Sequence, residues 1–340
     1  MINKKIHKED FIIGQKFVEI SDIIFSANLP NKNFYKFNNE NFKIISQNNH
    51  LTSFKIKNFK IKSGDVIFCS SNNLEILFYY LKKVDKNFNL TLISGQSDRK
   101  IDKNIISKKP ECIYKWYSTN VDFNKEFLIP IPLGIANDYS PKNVRADDFL
   151  NYTKNTHKKE NKLYINLQKN TNLKERDFIY ESFQDKDWVI QKEPNLTIEK
   201  YLNDLNIYKF VLCPWGNGFD THRFWEVLYS GSIPVTKYHT TYSSYKHLPI
   251  IFVEDFSKIS LDFLVKKSNE IDLSNLQELN FKYWRSKIFN SVIVEESLST
   301  VINQNKAYEF FYWNKKRIIY KSKSRLKIIN FYLNKFKKFF

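Results

Sequence analysis

Four short apolar runs, KLYINLQ (162–168), WVIQK (188–192), KFVLCP (209–214) and SIPVTK (232–237), are separated by segments in which apolar residues return at helical spacing. This alternation constrains the fold more than any other feature of the chain. Each run is short for a helix and apolar enough to be covered on both faces, as a strand inside a parallel sheet is. LKERDFIYESF (173–183), TIEKYLNDLN (197–206) and HRFWEVLYSG (222–231) supply the crossover helices; PIIFVED (249–255) adds a strand, and helices are expected from about 260 to 310. Earlier in the chain, GDVIFCS (64–70), LEILFYYLKKV (74–84) and NLTLISG (89–95) repeat the order strand, helix, strand. Such alternation predicts an α/β fold. Between the two units, residues 140–161 are polar, lysine-rich and without strong periodicity, which puts a boundary near 140–160. The expected organisation is an N-terminal domain over 1–145, a C-terminal domain over 160–310 and a tail over 311–340.

The loop PWGNGFDT (214–221) follows one of these strands and precedes a helix, so it belongs at the carboxyl edge of a sheet, where ligands collect. It carries two of the chain's seven glycines, Gly216 and Gly218, and a third, Gly231, closes the helix. Gly216 and Gly218 read as positions of positive φ and close ligand approach, with Asn217 between them tolerating unusual dihedrals. Asp220 or Thr221 caps a helix whose free N–H groups suit phosphate oxygens. Arg223 sits in the first turn, where its fork can hold a diphosphate, and Glu226 lies one turn on, where an acceptor suits ribose hydroxyls. On spacing alone the same residues also read as a structural turn with an Arg–Glu surface pair. The stretch is neither GxGxxG nor a Walker loop.

Charge enters here. The chain carries +18 over 340 residues, which points to an anionic small ligand or an anionic membrane surface. Lysine, asparagine, isoleucine and phenylalanine are abundant and glycine is scarce, a pattern of AT-rich coding, and no nucleic-acid-binding motif is present; nucleic acid is not the expected partner. Cys69, Cys112 and Cys213 are odd in number and far apart, so plain buried thiols in a reducing compartment are expected. No apolar run approaches the roughly 18 residues that span a bilayer, and the charged opening MINKKIHKEDF does not indicate secretion.

FVLCPWGNGFDTHRFWEVLYSGSIPV (210–235) resembles the signature of exostosin-like glycosyltransferases and related bacterial and viral enzymes. Further segments are similar in consistent order from about 65 to 290: the SD of SGQSD, the N of YSTNVD, IPLGIAN (131–137), the strand-plus-TN-plus-R pattern at 163–176, and residues 242–260 and 281–288. The chain departs at Trp215, where arginine or a small residue is frequent, and at Ser232, where cysteine is common, which bears on donor identity. The resemblance implies a GT-B fold, two Rossmann-like domains facing across a cleft, the C-terminal one binding a nucleotide-sugar. It implies inverting transfer to a glycan or lipid-linked glycan, in surface-polysaccharide synthesis, with no metal or other cofactor.

Under that implication His222 lines the donor pocket or merely packs, and Asp220 contacts the donor or only caps the helix. Asn170, Asn172 and Arg176 approach the donor phosphates or form a helix cap followed by a surface arginine. A base on the opposite domain is required; Asp98 is the first candidate and Asp122 the second, against a plain turn role. The tail RLKIINFYLNKFKKFF (325–340) spaces Ile328, Tyr332, Phe336 and Phe340 by four among lysines. It reads as a basic amphipathic helix lying on an anionic membrane, or as one packing back on the N-terminal domain. The expected setting is cytoplasmic, with peripheral attachment to the inner face of the membrane. The competing readings are a non-catalytic glycan- or nucleotide-binding relative and, third, a basic nucleic-acid-binding protein.

Overall fold

The computed structural model describes residues 6–37, 40–140, 143–152, 158–168, 171–293 and 298–336, with side chains as far as Ser322, Tyr320 excepted. The chain begins with α1 (Gly14–Glu19), β1 (Ile23–Pro30), α2 (Asn31–Phe37), β2 (Phe42–Gln47), β3 (Leu51–Ile56) and β4 (Phe59–Lys62). It continues through β5 (Val66–Ser70), α3 (Leu74–Leu81), β6 (Leu90–Gly95), α4 (Lys103–Ile106), β7 (Ile113–Ser118), β8 (Leu128–Pro130) and α5 (Ala146–Asn151). The second part runs β9 (Glu160–Ile165), α6 (Leu173–Ser182), β10 (Val189–Gln191), α7 (Ile198–Ile207), β11 (Tyr208–Leu212), α8 (His222–Tyr229) and β12 (Ile233–Lys237). It closes with β13 (Ile251–Val253), α9 (Leu261–Asn269), α10 (Phe281–Phe289), β14 (Ser299–Ile302) and α11 (Lys306–Phe336).

Two larger sheets form. One has seven strands in the order β2–β3–β1–β5–β6–β7–β8, parallel from β1 to β8 and antiparallel where β3 meets β1 and β2. The other has five strands, all parallel, in the order β10–β9–β11–β12–β13. The α/β expectation holds. In the second sheet each apolar run became a strand because both of its faces are covered: Phe210, Val211 and Leu212 of β11 are fully buried, as are Leu163, Tyr164 and Ile165 of β9. An apolar cluster joins the two parts, with Tyr117 of β7, Tyr164 of β9, Trp225 of α8 and Trp284 of α10 as members.

Two regions depart from expectation. The segment 260–310 does not close in helices alone, since β14 pairs antiparallel with β4, carrying the chain back to its first part. There α11 begins at Lys306, and its first turns pack inward: Tyr308 stacks on Tyr79 at 3.5 Å, Glu309 pairs with Lys55, and the Tyr312 hydroxyl donates to Glu75 Oε2 at 2.8 Å. The polar stretch 140–161 also contains a helix, α5, whose Phe149 packs on Phe11 and Tyr229. Cys69, Cys112 and Cys213 are free and buried, and burial pushes the Cys112 thiol up to about 11. No described helix is long and apolar enough to cross a membrane.

Candidate functional site

A cavity of 570 Å³ takes its lining from the C-terminal ends of strands in both larger sheets. From the first come Ser94 and Gly95 at the end of β6, residues 96–98 beyond it, Thr119 past β7 and residues 131–133 past β8. From the second come Gln168 and Thr171 past β9, residues 216–218 past β11, and His222 and Arg223 in the first turn of α8. The strand order of the second sheet reverses between β9 and β11. Open α/β sheets receive ligands at that switch point, outside the carboxyl ends of the strands.

Two guanidinium groups meet there. Arg176 of α6, only 8% exposed, donates from Nη1 to the Gln168 carbonyl and from Nη2 to the Trp215 carbonyl, bracing the two loops. Arg223 donates from Nη2 to Asn166 Oδ1 at 3.4 Å and lies over the Tyr201 ring, 5.3 Å from its centroid. Arg176 Nε and Arg223 Nη1 are buried and donate to no described residue. Burial and then the Arg223 charge press the Arg176 guanidinium below its ordinary value. Neighbouring cations that keep buried, unused N–H groups are costly unless an anion joins them.

The first turn of α8 adds to this field. The expected cap by Asp220 or Thr221 is not made, because Thr221 occupies the N-cap without a side-chain bond. Asp220 is instead a buried junction, accepting from Leu133 N at 2.8 Å, Trp225 Nε1 at 2.9 Å and the Tyr245 hydroxyl at 3.2 Å. Burial, set against those bonds, pushes its carboxyl up to about 6. The helix N–H groups therefore keep their positive field for the cavity.

His222 lines the cavity and its Nδ1 lies 2.7 Å from the Gly134 carbonyl. A carbonyl only accepts, so Nδ1 carries a proton in this bond. Gly134 itself has φ of 73°, and a Cβ there would meet the Ile12 carbonyl oxygen at 2.2 Å. Gly134→Ala is expected to destabilise the fold by about 2–4 kcal/mol through strain and displaced backbone. Urea unfolding measures this; a loss under about 0.5 kcal/mol, the scatter of ordinary surface substitutions, would contradict the geometry.

The conformational reading of the loop needs correction. Neither Gly216, Asn217 nor Gly218 has positive φ. Gly218 is small for another reason: a Cβ there would lie 2.8 Å from Asn120 Oδ1, which accepts from Phe219 N at 2.9 Å and from Asp220 N at 3.3 Å. Asn120, reached from the first sheet, thus fixes the loop. Gly216 faces Arg176 Nη2 and Thr171, with a Cβ at ordinary contact distance, and exposed Asn217 lines the cavity. Gly231, with φ of 74°, does end α8 as expected.

Glu226 is not brought to the cavity lining. It is buried, accepts from the Tyr201 hydroxyl at 2.9 Å, and supports from below the ring on which Arg223 rests. Burial raises its carboxyl above the ordinary value against the pull of Arg223. Asp98 is exposed on the cavity rim. Asp122 is elsewhere, bonded to His239 Nε2 at 3.0 Å. Asn172 starts α6 with φ of 46°, donating to Glu175 Oε2 and the Trp215 carbonyl, and Asn170 lies outside the described residues. Sequence reasoning missed Asn166, Tyr201 and the binding of Asn120 to the loop. Among the described residues no three His, Cys, Asp or Glu side chains gather as a metal site. The sequence matches no family model and no curated protein.

Proposed function

We propose that the chain is an inverting glycosyltransferase of GT-B arrangement, moving a sugar from a nucleotide-sugar to a glycan or lipid-linked glycan precursor in the cytoplasm. One observation carries this reading: buried Arg176 and half-buried Arg223, each with a buried and unused N–H, line a cavity at the switch point shared by the carboxyl edges of two sheets. A nucleoside diphosphate supplies the missing acceptors, with its phosphates between the guanidinium groups and the first turn of α8. The second sheet then serves as the donor domain and the first as the acceptor domain. Glu226 acts through Tyr201 and Arg223 rather than on the ribose.

In transfer, the acceptor hydroxyl oxygen bonds to the anomeric carbon as the bond to the diphosphate breaks, and the hydroxyl proton passes to Asp98 on the rim. The charge that grows on the leaving diphosphate falls on donors already in place, so little reorganisation is needed. Metal-independent transfer is part of the proposal.

A thermal-shift panel of UDP-, GDP- and dTDP-sugars tests it, with a CMP-sugar as the single-phosphate arm. Ligand at about a hundredfold its Kd stabilises the native state by about 2.7 kcal/mol. One diphosphate-sugar class is expected to raise the melting temperature by a few degrees, and Arg223→Ala to abolish the rise. No shift with any donor would overturn the reading.

A further inference from the structure

On the other side of the loop 95–99 from the candidate site lies a groove of 1030 Å³ between β2–β3 and α11. Asp98 of that loop lines the candidate site, and its neighbour Arg99 lines the groove. Ile44 and Ile45 form one lip, and Phe310 and Trp313 the other. Lys43, Arg99, Lys306 and Lys316 add positive charge, of which Glu75 balances part by pairing with Arg99 at 3.4 Å and Lys316 at 2.8 Å. Lys55 at the floor is matched by Glu309. Also at the floor, Asn73 is buried and its Oδ1 accepts no bond from any described residue, while its Nδ2 donates to Ser26. Surplus cations above an unused acceptor suit a phosphate that carries a polyol.

Helix α11 extends this chemistry outward. With Tyr308, Glu309, Tyr312 and Lys316 turned to the protein, its outer face leaves Phe310 65%, Phe311 71% and Ile318 68% exposed. Phe311 and Ile318 stand two turns apart on one side, with Arg317 and Lys321 beside them. From Phe310 to the end of the chain there are ten basic residues and no acidic one, and the helix runs to Phe336. A second copy of the chain would set these cations against each other. Exposed isoleucines at 44, 45, 318 and 319 beside Phe310, Phe311 and Trp313 make the face apolar as well as basic, which suits a bilayer surface.

We propose that this face docks on an anionic phospholipid bilayer. Phe310, Phe311, Trp313 and Ile318 enter the headgroup–acyl boundary, and the groove receives a phosphoglycerol headgroup. The inference does not depend on sugar transfer. It places the outer face of α11 between Phe310 and Ser322 on the lipid.

The test uses the full chain with vesicles of phosphatidylcholine, with and without a third of phosphatidylglycerol. Co-sedimentation is expected with the anionic vesicles and at least about tenfold less with the neutral ones. Tryptophan emission is expected to shift to the blue on binding, and Trp313→Phe to remove the shift. Phe310→Ser, Phe311→Ser and Ile318→Ser combined are expected to weaken binding at least about tenfold without lowering the melting temperature, because all three are exposed. Lys43→Glu with Lys306→Glu should weaken anionic binding alone. Equal binding to both vesicles, or full binding by the triple serine variant, overturns the docking. Full binding by the glutamate pair overturns the headgroup site. Binding to single-stranded RNA with no vesicle binding, or self-association that replaces it, also overturns the proposal.

Discussion

Arg176→Met and Arg223→Met are each expected to lower kcat/KM for the nucleotide-sugar by about 10²–10³, the cost of one donor to developing charge in a closed site. Methionine keeps the length of the apolar stem and removes only the fork and its charge. The unliganded Arg176→Met protein should then be as stable as the parent or more so, because burial and the Arg223 charge press that guanidinium below its ordinary value. Arg223→Met instead removes a cation held by Tyr201, Cys213 and Glu226 and should cost some stability. If both arginines hold one diphosphate, the double variant should lose far less than the product of the single losses. Kinetics and urea unfolding on the four proteins give the full cycle. Wild-type turnover in either single variant would sink the shared-anion role. A large loss of unliganded stability in Arg176→Met would mean that its bond to Gln168 matters for the fold itself.

The second sheet was legible because parallel strands covered on both faces leave unbroken apolar runs, as in KFVLCP and KLYINLQ. The first sheet was legible only in β5, α3 and β6. Strands β1 to β3 sit where the chain turns antiparallel, and β2 is largely exposed, so FKIISQ lacks the buried pattern that marks a strand. The return of β14 to β4 joins residues some 240 positions apart, which no local pattern encodes. The same limit applies at the site. Arg223 could be read from its place in the first helical turn, and Arg176 only through the resemblance, where a surface arginine stood as the alternative. Their floor and brace could not, because Asn166 lies 57 positions from Arg223 and Asn120 lies 99 from Phe219. Glu226 shows a subtler failure. Its spacing from Arg223 put it on the same helix face, but one turn further along that face meets Tyr201 in the core rather than the cavity.

Asp98→Asn is expected to lower kcat by about 10²–10⁴, the range of a general base, while KM for the donor and the donor-induced thermal shift stay unchanged. Asparagine keeps the size and position of the side chain and removes its ability to take a proton. The separation of effects follows from geometry: Asp98 stands on the rim beyond β6, whereas Arg176 and Arg223 stand at the end of the other sheet. His222 provides the internal control. Its Nδ1 proton is held by the Gly134 carbonyl, and the ring lines the cavity. His222→Gln should therefore be mild if Asp98 takes the proton. A silent Asp98→Asn combined with a deep loss in His222→Gln would move the base to the imidazole, and the transferred proton would then leave from the donor side of the cavity.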